Sequence, residues 1–171
     1  MLHNRLKTYA GLMIVLILCV LMAACGASSS TVIKIDPAPA TVQVNDTVRV
    51  PIKVENITNL TTVEVHLSFD ASMLEVVELQ DGDFIKADFP AQSIFDNSAG
   101  TIDYVVAQIS RPPANGSGTL FEIVFRAKGS GNAQIRFRET QAVPAGALMA
   151  DANGKAIQVM LASGTLVVGK P

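Results

Sequence analysis

From Val32 onward the chain alternates apolar and polar side chains with a period of two. Val48, Val50, Ile52 and Val54 interleave with Arg49, Pro51, Lys53 and Glu55, and Val63, Val65, Leu67 and Phe69 interleave with Thr62, Glu64, His66 and Ser68. Successive side chains of a strand point to opposite faces, so each run predicts a half-buried β-strand. Further strands are predicted at Val32–Ile35, Leu74–Leu79, Ser93–Phe95, Thr101–Ile109, Leu120–Ala127, Ala133–Phe137 and Thr165–Val168. Turn-forming stretches separate them: Asp36-Pro37, Asp81-Gly82-Asp83, Asp96 to Gly100 and Gly129-Ser130-Gly131-Asn132. About nine short strands with turns between them predict an all-β sandwich or barrel. No apolar stripe of period 3.6 is long enough for a sizeable helix, although Gln141–Ala150 has room for one helical turn. No internal repeat is visible.

Ahead of Val32 the pattern is different. His3, Arg5 and Lys7 precede an apolar and small run from Ala10 to Ala24, which ends in Leu21-Met22-Ala23-Ala24-Cys25-Gly26. That run is shorter than the ~20 residues of a membrane-spanning helix and reads as a targeting segment. Small residues directly before a cysteine resemble the bacterial lipobox, with Met22 where the motif prefers Leu. Residues 1–24 are therefore expected to be a signal peptide. Cys25 is the expected lipidation site, and residues 25–31 a short polar tether. The protein is expected to be exported and anchored by lipid to the outer face of the cell membrane, at the cell surface or on the periplasmic side. An uncleaved anchor helix is the alternative, and it also exports the domain at 32–168.

Composition narrows the chemistry. Without residues 1–24 the thirteen Lys and Arg lose Arg5 and Lys7, leaving eleven against fifteen Asp and Glu, a net charge of −4. There is no basic stripe, so no nucleic-acid partner is expected. One cysteine remains, so no disulfide is available and the core alone must hold the fold. His66 and Tyr104 are the only residues of their kinds left, and tryptophan is absent. Hydrolysis needs a nucleophile beside a base, or two carboxylates across a cleft. Beyond residue 24 there is no second histidine, no Gly-x-Ser-x-Gly turn and no metal-ligand spacing, so no catalytic, metal or cofactor site is expected. Asp81-Gly82-Asp83 and Asp151-Ala152-Asn153-Gly154 lack the spacing of a calcium loop and read as turns. The glycosylation-type triplets at Asn56, Asn59 and Asn115 read as coincidence in an exported bacterial protein.

Several segments together resemble the cohesin domain family. Val42 to Val54 resembles the family's opening motif, a Gly-Asp turn before a V-x-V-P-V strand, with Asn45-Asp46 in place of Gly-Asp. Leu67 to Val77 resembles its aromatic-Asp-Pro turn followed by a strand beginning with Leu, with Ala71 in place of Pro. Glu78–Asp83, Gly100–Ala107, Gly118–Ala127 and Gly164–Val168 are similar to its remaining segments, so the resemblance covers nearly all of 32–168. It implies a nine-stranded jelly-roll β-sandwich. It also implies a binding module that docks dockerin-bearing proteins, including polysaccharide-degrading enzymes, on one flat sheet face.

Alternation places Thr62, Glu64, His66 and Ser68 outward, together with Asp103, Val105 and Ala107, with Gln108 at the strand end, and Gln134, Arg136 and Arg138. If these strands are neighbours, Val105 and Ala107 form a small apolar centre ringed by hydrogen-bonding groups, which suits protein recognition. By the resemblance, Thr62 and Glu64 fall at a partner-contacting position, Phe95 near an aromatic contact, and Ala107-Gln108 near another contact pair. The expected partner face is thus Thr62, Glu64, His66, Phe95, Asp103, Val105, Ala107, Gln108, Arg136 and Arg138. Carbohydrate binding is the rival function, with Phe84, Phe89 and Phe95 as the available rings. A structural role at the cell surface is the third.

Overall fold

The computed structural model describes residues 30–37, 41–88 and 92–170. The expected signal peptide, the lipidation site Cys25, most of the tether and Phe89 lie outside them. The described residues form an all-β fold of twelve strands with no helix: β1 (Val32–Ile35), β2 (Thr41–Gln43), β3 (Thr47–Phe69), β4 (Leu74–Asp81), β5 (Gln92–Asp96), β6 (Thr101–Ala107), β7 (Ala114–Ala127), β8 (Gly131–Phe137), β9 (Ala147–Asp151), β10 (Ala156–Ile157), β11 (Met160–Ala162) and β12 (Gly164–Gly169).

The architecture turns on β3. Its 23 residues contain both alternating runs read from the sequence, joined through Asn56 and Asn59 at φ of 56° and 60°. Asparagine tolerates this left-handed backbone better than most residues. The register with β7 shifts at Val54/Ile57 and again at Ile57/Leu60, so the strand bends there and passes from one layer to the other. Its first half lies between β1 and β7, with β4 beyond β7 and β11 beyond β1. Its second half lies between β6 on one side and β9 and β8 on the other, with β5 beyond β6 and β12 and β2 beyond β8.

This arrangement accounts for more strands than the nine expected. Two expected strands are one continuous element, β9 is a strand of five residues that was not expected, and β2, β10 and β11 are pieces of two or three residues without a visible alternation. The segment with room for a helical turn instead forms turns leading into β9. The core between the layers is aliphatic, with Val50, Ile52 and Val54 of the first half of β3 facing Val63, Val65 and Leu67 of the second, all fully buried. Tyr104 stacks on Phe121 at 4.1 Å, and Phe69 meets Phe125 edge-on at 5.3 Å. The Tyr104 hydroxyl donates to Asp81 at 3.0 Å, and its burial raises the phenol's pKa above the usual range. A buried ring with a satisfied hydroxyl is a core residue, as the inward reading of Tyr104 required.

Candidate functional site

The outer side of the β5–β6–β3–β9 layer is built from strands whose register is fixed by their inner faces. Val63, Val65 and Leu67 of β3 and Ile102, Tyr104 and Val106 of β6 are buried, and a strand that buries one set must present the other. Cross-strand pairing then sets the outward residues in rows: Thr62 beside Ala107, Glu64 beside Val105, His66 beside Asp103, and Ser68 beside Thr101. On the far side of β3, Ala150 continues the first row, Leu148 the second and Arg136 the last. Arg138 enters the third row through its backbone N–H, which donates to the His66 carbonyl at 2.9 Å. Thr62, Glu64, His66, Asp103, Val105, Ala107, Arg136 and Arg138 therefore share one open face, as their alternation predicts.

The face has two chemically distinct parts. Toward the β3 bend lies a low floor: Ala107, Thr62 and Ala150 form an uncharged row, and in the next row Val105 and Leu148 lie on either side of Glu64, all half-buried or buried by their neighbours. In the third row lies a polar network. His66 Nδ1 is 2.5 Å from Asp103 Oδ1 and His66 Nε2 is 2.9 Å from Glu64 Oε1, while the Arg138 guanidinium donates to the same Asp103 oxygen. The His66 side chain is only 12% exposed. Both carboxylates are thus engaged inside the face. Farther along, the Arg136 guanidinium donates to Gln134 Oε1, and these two residues with Ser68 and Asp70 border a shallow open depression.

Two expected contact residues are placed elsewhere. Gln108 is 6% exposed, and its side chain is fully used: the amide donates to the Pro112 carbonyl and the oxygen accepts from Lys86 N–H, each at 2.7 Å. It is a tie between loops. Phe95 pairs with inward-facing Ile102, so its side chain is on the opposite side of β5 from the face. Ile94, opposite Asp103, takes the outward position and is 53% exposed. Ile109, just past Ala107, is 65% exposed at the end of the same row of β6. The register of an edge strand exposed on both sides carries no sequence signal, which is why Ile94 was not among the expected residues. Ile109 stood inside the expected Thr101–Ile109 strand and continues the outward alternation of Val105 and Ala107, so that signal was available. Leu148 and Ala150 lay in a segment not read as a strand.

Nothing in the face resembles a reactive centre. Among the described residues no group of three or more His, Cys, Asp or Glu side chains could hold a metal ion. Asp151, one of the two calcium candidates, accepts instead from the backbone N–H groups of Asn153 and Lys155 at 2.8 and 2.9 Å, which lower its pKa and close a turn.

Comparisons with known proteins agree with this architecture. The cohesin domain family model matches residues 32–168. A type II cohesin domain from the cellulosome of Acetivibrio cellulolyticus superposes with a TM-score of 0.70 at 21% identity, covering 82% of this chain and 95% of that one. The cohesin of the Coh-OlpA–Doc918 cohesin–dockerin complex from Clostridium thermocellum gives 0.69 at 16% identity, covering 82% and 100%. A non-cellulosomal cohesin from the archaeon Archaeoglobus fulgidus gives 0.64 at 19%, covering 82% and 92%. In sequence, cellulose-binding protein A of Clostridium cellulovorans is 38% identical over 68 residues, and cell surface glycoprotein 1 of Acetivibrio thermocellus 28% identical over 125. These alignments take in 34% and 60% of this chain but only 4% and 5% of those much longer proteins. With four-fifths of its length matched by the family model, the chain belongs to the cohesin domain family.

Proposed function

We propose that this chain is a lipid-anchored, exported and non-catalytic docking module. It binds a dockerin-type protein module on the outer face of the β5–β6–β3–β9 layer. The observation that carries the proposal is the floor's uncharged row of Ala107, Thr62 and Ala150 across three strands, next to a row in which Val105 and Leu148 flank Glu64, whose carboxylate is engaged by His66. A partner surface approaches such a floor closely at little desolvation cost, and the half-exposed Ile94 and Ile109 give it larger apolar contacts at the margins. The Glu64–His66–Asp103–Arg138 network fixes the orientation of the complex, since its charges are already compensated within the face. Solved relatives support the choice of partner, because several of them are cohesin–dockerin complexes.

The sandwich offers little for sugar stacking. Tyr104 is buried, and Phe95 projects away from the face. The test is titration calorimetry of residues 26–171 against isolated dockerin modules with calcium present, and against a panel of polysaccharides. Saturable binding to a dockerin, lost in Val105→Arg, is the expected result. Retention of polysaccharide with no dockerin bound would overturn the proposal.

A further inference from the structure

The flank of the sandwich beside β9, β10 and β11 is formed by two stretches with no charged residue, 140–150 and 156–162. Where these stretches meet they enclose an open apolar groove of about 190 Å³, lined among others by Pro144, Ala145, Leu148, Ile157 and Val159. Pro144 and Ala145 are exposed at the groove, and Met160, next to Val159 in the chain, is 60% exposed. An uncharged apolar flank of this kind marks a contact surface.

The course of the chain says what it contacts. Ser30 and Thr31 line a common hollow with Gln158, Val159 and Met160, and Met160 N–H donates to the Thr31 carbonyl at 2.9 Å. The chain therefore leaves the domain on this flank. Cys25 lies five residues before Ser30, and five residues span at most about 18 Å. A domain of this size has a radius of gyration of about 14 Å. If Cys25 carries the lipid, the tether is no longer than the domain is wide, and this flank is always the side nearest the bilayer.

We infer that the flank around Pro144, Ala145, Ile157, Val159 and Met160 is a membrane-contact surface. It seats the domain in the headgroup and acyl boundary and turns β5 and β4, at the opposite edges of the two layers, away from the lipid. The inference rests on the lipid-anchor reading of Cys25. The neighbouring charges are compatible with it. Asp151 is held by backbone N–H groups, and the exposed Lys155 beside it meets phosphate headgroups favourably.

Because the chain has no tryptophan, single tryptophans report on position. Residues 25–171 contain the whole buried core and one cysteine, so they are coupled through Cys25 to maleimide lipid in phosphatidylcholine vesicles, with or without bromine on the acyl chains. Installing the lipid chemically separates this test from the lipid-anchor reading, which is checked independently by palmitate incorporation into the full chain in bacteria. Met160→Trp, with Ala145→Trp as a second reporter, is expected to lose most of its emission to bromolipid. Val77→Trp, on the exposed far edge at β4, is expected to lose none. The inference is overturned if neither flank reporter is quenched, if Val77→Trp is quenched equally, or if the flank is shielded by a second copy with a doubled molecular mass.

Discussion

The two outer faces of the sandwich come from the same alternating strand, yet they are opposites. On the first half of β3 and its neighbours, charged side chains recur among the outward positions and find counter-ions on adjacent strands or just past the end of β1. Lys34 pairs with Glu55 at 2.7 Å, Lys53 with Asp36 at 2.8 Å, Arg126 with Glu75 at 2.9 Å and Arg49 with Glu122 at 3.3 Å. The second half presents Thr62, Glu64, His66 and Ser68 beside Val105 and Ala107, with its charges gathered into a single network. The first face is a solvated shell, since a partner there would strip water from many charges and gain little apolar contact. The second has its apolar surface in one place and its charges already engaged. What separates a binding face from an inert one here is how charge is distributed, more than how much there is.

The largest expected effect tests that contrast directly. Val105→Arg or Ala107→Arg puts a long charged side chain into the floor and should weaken dockerin binding by roughly 30- to 1,000-fold, about 2–4 kcal/mol. The melting temperature should hardly move, because both side chains point outward. Arg49→Glu on the opposite face should leave the affinity unchanged. Equal losses from the two faces, measured by calorimetry, would erase the distinction.

Much of the fold was legible because alternation is imposed by burial. The inward sets of β3, β6 and β8 follow from Val63, Val65, Leu67, Ile102, Tyr104 and Ile135, and the outward sets follow with them. The continuity of β3 was not legible, since the alternation lapses between Glu55 and Thr62, where Asn56 and Asn59 act as left-handed residues within a bending strand. Gln108 looked like an outward polar residue at a strand end, but loops folding back over it bury it and use both ends of its amide. Phe95 and Ile94 could not be ordered because β5 is exposed on both sides, so apolar pattern places no constraint on its register. Burial writes a pattern into sequence, whereas edges and loop closures write very little.

A second test concerns the network in the binding face. His66→Ala leaves the Glu64 and Asp103 carboxylates without their shared partner in a half-buried setting, which should cost about 1–3 kcal/mol of folding stability by denaturant titration. His66→Gln, which keeps hydrogen-bonding capacity, should recover part of that loss. By contrast, Lys34→Ala in the solvated shell should cost less than about 1 kcal/mol, because exposed ion pairs contribute little. A larger loss at Lys34 than at His66 would invert the comparison.

The smallest effect concerns how the margin of the binding face is held. Asp88 accepts from the backbone N–H groups of Ile109 and Ser110, and from the Ser110 hydroxyl at 2.6 Å, pinning the loop that carries Ile109. The Ser110 hydroxyl, then its N–H, hold the Asp88 carboxyl below the usual carboxylate range, as other hydrogen bonds do for Asp36 and Asp70. A carboxyl with a lowered pKa in the folded state stabilises the fold fully above its unfolded pKa of about 4 and loses that contribution as pH falls through the lower folded value. Thermal melts taken from about pH 5 down to about pH 2 should therefore show stability declining with acid, and the decline should be shallower in Asp88→Asn. The same variant should loosen Ile109 at pH 7 and modestly weaken dockerin binding, while Asp36→Asn in the solvated shell should flatten the acid decline without touching affinity. If both variants weakened binding equally, the Asp88 loop would have no special tie to the binding face.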